Sequence, residues 1–235
     1  MAYHARAASP LGPMLFCTDG AGLSGLYFIG QPDCPPVTVG SAAAPQPGPS
    51  RPSPGAGELD GKPIRGLRIR KREREPDLFG FVREAGAGHL PLRFDGSATP
   101  GSMSELELLD ADIPAEACAV LRLAHAELGE YFRGGRSVFS VPLSLRGTPF
   151  QCRVWQALLD IPYGEYVSYG QVALAAGMTQ QHGRPVGTAV GQNPVSIIVP
   201  CHRVLAGNGR LNGYTGGLSR KVALLEIEGF EVSGG

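Results

Sequence analysis

The sequence lacks the long apolar segments of membrane and secreted proteins. No run approaches the roughly 18 consecutive apolar residues of a transmembrane helix, and the first 15 residues have no continuous apolar stretch. We therefore expect neither a membrane span nor a signal peptide. An excess of charge is also absent, since 21 basic residues face 21 acidic ones. Any binding of nucleic acid must then come from the local placement of charges.

Cysteines are few, odd in number and far apart, with no C-x-x-C pair. This pattern is typical of reduced thiols and predicts a cytoplasmic protein without disulfides. His4, Cys17 and Cys34 could supply at most three zinc ligands, so we expect no metal and no cofactor. The five cysteines are Cys17, Cys34, Cys118, Cys152 and Cys201.

The N-terminal segment changes character abruptly. Residues 13–29 contain two short apolar runs about a DGAG turn, which predicts a β-hairpin. Residues 32–57 then contain eight prolines and four glycines in 26 residues, so we expect no regular element there. A basic run follows at 62–77. It could bind DNA phosphates, although a solvated tail is the more common meaning of such a run.

Ordered structure is predicted to return near Asp112. Asp112 could cap a helix with Pro114 in its first turn, and apolar residues then recur at helical spacing as far as Phe132. His125 belongs to that apolar face and is not expected to be a ligand. The alternation in residues 137–145 predicts a strand, with Pro142 indicating an edge or an irregularity.

Two capping boxes mark helices in the C-terminal part. The sequence TPFQ at 148–151 predicts a helix that buries Trp155 and is stopped by PYG at 162–164. The sequence SYGQ at 168–171 predicts a second helix, capped by Ser168 and running to Gly177. A third helix fits residues 185–192, and the last two would form a helix-turn-helix. Small residues make the third helix smooth enough for close approach to a surface.

A cysteine and a histidine follow the apolar run IIVP. The β-branched residues 197–199 predict a buried, extended segment that Pro200 ends, leaving Cys201 at a rigid corner. A nucleophilic thiol needs a base or a positive field, and His202 is adjacent. Because successive side chains of an extended segment point to opposite sides, we expect a water to bridge the two. Cys201 could instead be an inert packing residue.

Several motifs together resemble one known family. They are NP at 193–194, PCHRV at 200–204, SYG at 168–170, GYTGG at 213–217 and LLEIEG at 224–229. In this order, within about residues 147–230, they are similar to the O6-alkylguanine-DNA alkyltransferases.

The resemblance implies the architecture. It predicts an α/β, ribonuclease-H-like N-terminal domain formed by residues 1–31 and 105–146. A mostly α-helical C-terminal domain with the helix-turn-helix would span 147–235. Residues 32–104 would then be an insertion of unknown purpose, which we expect to be disordered.

The resemblance also implies the chemistry. Cys201 would accept an alkyl group from O6 of guanine in DNA, with O4-alkylthymine as a further candidate substrate. His202 would take the thiol proton through a water, and Glu228 would hold His202 in its working tautomer. Tyr169 would donate to a ring nitrogen of the base, and Asn193 would order the cysteine loop. Water cannot readily displace the thioether product, so each molecule would act once.

A third implication concerns substrate binding. Arg184 would fill the gap left in the minor groove of double-stranded DNA when the damaged base rotates out, although the following Pro185 disfavours helical geometry at Arg184. The loop at 213–217 would enclose the base, and the carbonyl of Val204 would accept from its exocyclic amine. The protein would act as a monomer. Further DNA contacts are expected from Ser168, Gly187, Thr188, Ala189 and Gly191, and further pocket contacts from Tyr214, Thr215 and Gly216.

Two other functions fit parts of this pattern. A non-catalytic module that binds alkylated DNA would keep the helix-turn-helix and the pocket, but would not need the PCHR cysteine. A cysteine hydrolase unrelated to DNA would show turnover and no affinity for a duplex.

Overall fold

A computed structural model describes residues 1–36, 58–59, 62–63, 68–71 and 102–233. The predicted irregular segment 37–57 and most of the basic run lie outside these residues. The described part combines β-strands with five α-helices, so the mixed α/β class is confirmed. Among the described helices, none is both long enough and apolar enough to cross a membrane.

The N-terminal strands form an antiparallel sheet. Strands β1 (Tyr3–Ser9), β2 (Gly12–Thr18) and β3 (Leu23–Phe28) pair in sequence, which confirms the hairpin predicted for residues 13–29. The sheet order is β3-β2-β1-β7, with β7 on the open side of β1. Four short strands follow β3 in the chain: β4 (Glu58–Leu59), β5 (Lys62–Pro63), β6 (Arg68–Lys71) and β7 (Glu107–Leu108).

Helix α1 (Ala115–Phe132) packs on this sheet, as its apolar spacing predicts. Its start differs from the prediction, because Pro114 occupies the N-cap and makes no side-chain capping bond. Asp112 therefore lies outside the helix.

The strand predicted at residues 137–145 is wrong. This segment has only an isolated bridge between Leu143 and Leu23. The buried carboxylate of Glu127 accepts the backbone N–H groups of Ser140 and Val141, at 3.0 and 3.1 Å, and Pro142 has no N–H to donate. The backbone donors that a strand would use are thus bound to a side chain on α1.

Both predicted capping boxes are present. Thr148 caps α2 (Pro149–Leu159) and Ser168 caps α3 (Tyr169–Ala175), each with a reciprocal bond from the glutamine three residues on. A 3₁₀ turn at Gln180–His182 leads to α4 (Gly183–Gly191). Short strand β8 (Val167–Ser168) pairs in parallel with β9 (Val204–Leu205), which brings the start of α3 beside the segment after Cys201.

The chain ends with α5 (Leu218–Ile227) and β10 (Phe230–Ser233). Strand β10 pairs antiparallel with β6, so part of the insertion is ordered, contrary to the expectation for residues 32–104. The residue that anchors β6 is Ile69, which is 4% exposed. Sequence reasoning missed this strand because its partner is far away in the chain.

One apolar cluster joins the two halves of the molecule. It contains side chains from the first three strands, α1, α2, α4 and the segment before Cys201. Strand β3 also bonds to that segment, since Leu26 N–H donates to the Pro194 carbonyl at 2.8 Å and Ser196 N–H donates to the Leu26 carbonyl at 2.9 Å. The sheet therefore supports the loop that carries the cysteine.

Candidate active site

The cysteine loop is buried but not extended. Residues 196–198 form a turn and Ile197 has a φ of 71°, a left-handed conformation that β-branched residues rarely adopt. A 3₁₀ turn at Cys201–Arg203 follows. The prediction of an extended segment is therefore wrong, while that of a buried one is confirmed by Ile197 and Val199, both fully buried. Contacts with the sheet and with Asn193 outweigh the local β preference here.

The side chain of Asn193 organises this loop. Its amide nitrogen donates to the Val199 carbonyl at 2.8 Å and lies 3.1 Å from the Cys201 sulfur, while its oxygen accepts the Val195 N–H at 3.0 Å. Asn193 is 3% exposed, so these hydrogen bonds form away from water, where the low dielectric constant makes each of them stronger. Asn193 therefore contacts both the turn and the thiol, the two parts of the cysteine loop that it is expected to order.

The surroundings of Cys201 shift the pKa of its thiol in opposite directions. Burial raises its pKa, whereas the bond from Asn193, the positive charge of Lys221 and the Tyr214 hydroxyl lower it. The residue is 7% exposed. The thiol is thus predominantly protonated at rest, and forming the thiolate requires a base.

His202, the next residue after Cys201, is bonded to a buried carboxylate. Its Nε2 lies 2.8 Å from Oε1 of Glu228, and both side chains have no exposed surface. Burial opposes ionisation of Glu228, but the adjacent His202 and Arg203 lower its pKa to about 2. Because the ionised carboxylate can only accept, Nε2 must carry the proton.

The other ring nitrogen of His202 is the basic one. Burial lowers the pKa of His202, so the ring is neutral and Nδ1 bears a lone pair. Nδ1 is buried and, within the part of the chain that the structure describes, has no hydrogen-bond partner. It is the atom that a proton from Cys201 would reach through a water.

Glu228 lies at the centre of a larger network that the sequence did not reveal. Arg203 binds both carboxylate oxygens, with Nε 2.9 Å from Oε2 and Nη2 3.0 Å from Oε1. Tyr131 on α1 donates to Oε1 at 2.9 Å. Arg203 is the arginine of the PCHRV motif and directly follows His202. That it binds Glu228 becomes evident only in the fold. Tyr131 could have been noticed as a hydroxyl on an apolar helix face.

Lys221 is a second residue that sequence reasoning missed. It is 1% exposed, and its Nζ donates to the Val204 carbonyl at 2.6 Å. Burial lowers its pKa to about 8, while the nearby Cys201 opposes that shift. The Val204 carbonyl predicted to bind guanine is therefore an acceptor for Lys221, and Val204 itself is fully buried and does not line the cavity beside Cys201.

The thiol opens onto a cavity of about 830 Å³. Cys201, Tyr169, Arg184, Tyr214 and Thr215 all line it, so the structure brings these predicted residues together. His202, Glu228 and Asn193 lie behind the thiol and not in the wall. The remaining lining residues are Gln180, Gln181, Gly183, Gly187, Thr188, Val190, Gly191, Ala206, Gly207, Asn212 and Gly213.

Helix α4 forms one wall of the cavity. It begins at Gly183, so Arg184 is helical despite the following Pro185, because proline is tolerated in a first turn where N–H groups have no helical partner. At Gly187 a Cβ would lie 3.6 Å from the ring of Tyr169, so α4 and α3 approach closely there. Ala189, predicted to contact DNA, is 1% exposed and packs inward. Its carbonyl accepts from Trp155 at 2.8 Å.

The loop at 213–217 forms the opposite wall. Thr215 donates to the Gly191 carbonyl at 2.6 Å and ties this loop to the end of α4. Gly216 does not line the cavity. A Cβ at this position would lie 2.7 Å from Tyr214 and 3.1 Å from Phe28, so close packing explains this glycine. Ser168 also lies outside this cavity and borders a smaller one beside β6.

Fold and site together define a class of protein. It is a mixed α/β protein in which a buried cysteine, with a histidine and a carboxylate behind it, faces a cavity walled by two short helices and a glycine-rich loop. Such an arrangement can activate a thiol toward a planar ligand held in the cavity.

Comparison with known proteins identifies the family. The family model for 6-O-methylguanine DNA methyltransferase, DNA binding domain, matches residues 149–230. A methylated-DNA–protein-cysteine methyltransferase of Mycobacterium tuberculosis is 56% identical over 102 residues, which cover 43% of this chain and 61% of that protein. The chain thus matches about 61% of the length of this curated relative.

Solved structures extend the similarity to nearly the whole chain. The crystal structure of M. tuberculosis O6-methylguanine methyltransferase is 31% identical, with a TM-score of 0.56, and covers 97% of this chain and 93% of that one. M. tuberculosis OGT in complex with DNA is 32% identical, with a TM-score of 0.56, covering 95% and 90%. The chain therefore belongs to the 6-O-methylguanine DNA methyltransferase family.

Proposed function

We propose that this protein repairs DNA by transferring an alkyl group from O6 of guanine to Cys201, with O4-alkylthymine as a secondary substrate. One observation carries the proposal. The Cys201 thiol lines a cavity with Arg184 and the smooth face of α4, while a neutral, carboxylate-bound histidine stands behind it. The similar M. tuberculosis OGT has been crystallised in complex with DNA, which supports DNA as the partner.

Transfer would begin with a proton. Cys201 passes its proton through a water to Nδ1 of His202, and the imidazolium is stabilised by Glu228, whose carboxylate already accepts from Nε2 at 2.8 Å. Arg203 and Tyr131 keep that carboxylate ionised and fixed. The positive charge of Lys221 and the bond from Asn193 favour the thiolate.

The thiolate would then attack the alkyl carbon in line with O6. A sulfur–carbon bond forms while the carbon–oxygen bond breaks, and O6 keeps the electron pair. The leaving guanine anion takes up a proton from water and becomes neutral, while the proton taken from Cys201 passes from His202 to solvent. Tyr169 at the cavity wall would donate a hydrogen bond to a ring nitrogen of the base. No step regenerates the thiol from the thioether, so the protein acts once.

The duplex would bind through its minor groove. Helices α3 and α4, which pack closely about the 3₁₀ turn at Gln180–His182, support a helix-turn-helix in this part of the chain. Gly187, Thr188 and Gly191 line the cavity beside Arg184 and would allow the backbone of α4 to approach the DNA. Arg184 would enter the base stack as the alkylated guanine rotates into the cavity, which offsets part of the unstacking energy.

The finer organisation follows from the same proposal. Residues 1–31 and 105–146 would form a ribonuclease-H-like domain, residues 147–235 the DNA-binding domain, and residues 32–104 an insertion. The four-stranded sheet with α1 packed on it supports the first assignment. The protein would act in the cytoplasm as a monomer. It would need no cofactor, because the reaction uses only a thiol and proton transfers.

Intact-protein mass spectrometry after mixing with a duplex that contains one O6-methylguanine tests this function. We expect a single methyl per protein, which peptide mapping places on Cys201. The Cys201→Ala variant should bind the duplex and gain no mass. Methylation of Cys201→Ala would refute the nucleophile. Binding without mass gain by the wild type would indicate a non-catalytic damage-binding module, and repeated turnover without DNA affinity would indicate a hydrolase.

A further inference from the structure

Strand β6 is fixed to the protein by a buried anchor. Ile69 is 4% exposed and packs with Leu205, Leu211, Val222, Leu225 and Phe230. The strand pairs along its whole length with β10, and Ile69 N–H donates to the Gly209 carbonyl at 3.4 Å. A solvated tail would not bury an isoleucine in this way, so residues 68–71 have a defined place beside β10.

Alternation along β6 points Arg70 away from the anchor. Successive side chains of a strand point to opposite faces. Ile69 points to the buried face of β6, so Arg70 points to the exposed face. Arg70 lines a cavity of about 420 Å³ together with Ser168, Gln171 and Asn208. Ser168 is the N-cap of α3, the first helix of the proposed helix-turn-helix.

This small cavity adjoins the one that contains Cys201. Ala206 and Gly207 line both cavities, so the Arg70 side chain borders the same face as Arg184. Among the residues that the structure describes, the lining of each cavity has one arginine and no acidic side chain. A polyanion that reaches Cys201 would therefore meet positive charge at both ends of this face.

We propose that Arg70 binds a backbone phosphate of the duplex whose alkylated base enters the Cys201 cavity. This rests on the function proposed above, and it gives the insertion a purpose that the resemblance does not provide. Arginine suits the role because its planar fork can bind two phosphate oxygens. Lys71 next to it forms an exposed ion pair with Glu165 and is less available. Glu231 lies opposite Arg70 in the β6–β10 register and weakens the local field.

The salt dependence of DNA binding measures this contact. We would titrate a duplex containing one O6-methylguanine with Cys201→Ala protein, so that no repair occurs, at several salt concentrations. The slope of the logarithm of the binding constant against the logarithm of the salt concentration is negative. Adding Arg70→Gln should make this slope less steep by about 0.9, which corresponds to the loss of one phosphate contact. The same slope implies an affinity loss of about eightfold at 0.1 M salt.

Three matched variants make the result specific. Arg70→Lys should recover most of the slope, and Glu231→Gln should strengthen binding. Arg133→Gln, which removes an exposed arginine at the end of α1, should change nothing. An unchanged slope in Arg70→Gln would overturn the proposal, and so would an equal loss in Arg133→Gln.

A separate readout distinguishes this proposal from the proposed function. With Cys201 present, Arg70→Gln should take up the benzyl group from the free base O6-benzylguanine as fast as the wild type, because that reaction needs no phosphate contact. If the wild type neither reacts nor binds DNA, the proposed function fails and this proposal fails with it. If the wild type reacts and binds while the slope is insensitive to Arg70, only the proposal about Arg70 is wrong.

Discussion

The two sides of Cys201 are built on different principles. Behind the thiol, His202, Arg203, Tyr131 and Glu228 form a buried network in which a single carboxylate oxygen, Oε1, is within hydrogen-bond distance of three donors. In front of it, a cavity of about 830 Å³ is lined largely by glycines, small residues and backbone. The rear side fixes a proton acceptor, whereas the front side leaves room for a base. Substitutions behind the thiol should therefore affect stability and chemistry together, and those in front should affect chemistry or binding alone.

Glu228→Gln should give the largest effect. Removing one partner of a buried ion pair costs about 3–5 kcal/mol, because Arg203 keeps a buried charge without its carboxylate. The rate constant for alkyl transfer should fall about a hundredfold, because His202, the general base, loses the carboxylate that stabilises its charged form. Thermal unfolding and single-turnover kinetics would check both. The exposed Glu130, which pairs with Arg136, provides the control Glu130→Gln, with an expected loss of at most about 1 kcal/mol.

The same residue predicts a dependence on pH. A carboxyl whose folded pKa of about 2 lies below its usual value of 4.5 adds stability above the unfolded pKa and loses it as pH falls. Wild-type stability should thus decrease between pH 4.5 and 2 by about 3 kcal/mol from this group. Glu228→Gln should lack that part of the decrease in urea titrations. An identical acid profile in both proteins would contradict the assigned network.

Lys221→Met should have an intermediate effect on the reactivity of Cys201, although Lys221 is buried and does not line the cavity. Without the positive charge that lowers its pKa, the Cys201 thiol should react about tenfold more slowly near neutral pH. Because the pKa of Lys221 itself is about 8, its charge is lost above that pH and the difference should close. Alkylation by iodoacetamide, followed by peptide mass spectrometry from acid to alkaline pH, would show this. Cys152 on α2 serves as the internal control, and a constant difference at all pH values would refute the electrostatic role.

Tyr131→Phe should be the mildest change and tests the link across the molecule. It removes one bond to Glu228, worth about 1 kcal/mol of stability, and should slow transfer only a few-fold. With fewer donors the carboxylate should pull more strongly on His202 and raise its pKa, so the acid limb of the rate profile should move to higher pH. Tyr163→Phe, which loses a bond to the Ile227 carbonyl instead, should not move that limb. A limb that moves equally in both variants would point to packing alone.

Local rules predicted the helices of the site well, but long-range contacts escaped them. The capping residues Thr148 and Ser168 act within three residues of themselves, so their motifs were sufficient. The turn at Ile197 opposes its own residue preference, because strand β3 and Asn193 hold it. Tyr131 and Glu228 are 97 positions apart, and no sequence pattern links them. The strand at β6 required knowledge of β10 for the same reason.

The site residues divide in the same way. Cys201, Tyr169, Arg184 and Thr215 meet at one cavity, as the resemblance led us to expect. Ala189 does not, because the identity of a small residue says nothing about which side of a short helix is buried. Arg203 and Lys221 were overlooked since buried cations are rare and their partners appear only in the fold.

The bonds between β3 and the cysteine loop have a consequence for folding. The Ser196 N–H is held by the Leu26 carbonyl of the N-terminal sheet, so this amide can exchange its hydrogen only when strand and loop separate. The nucleophile therefore shares the cooperative unfolding of the sheet, and a fragment that begins at α2 would lose the template on which its reactive loop is shaped.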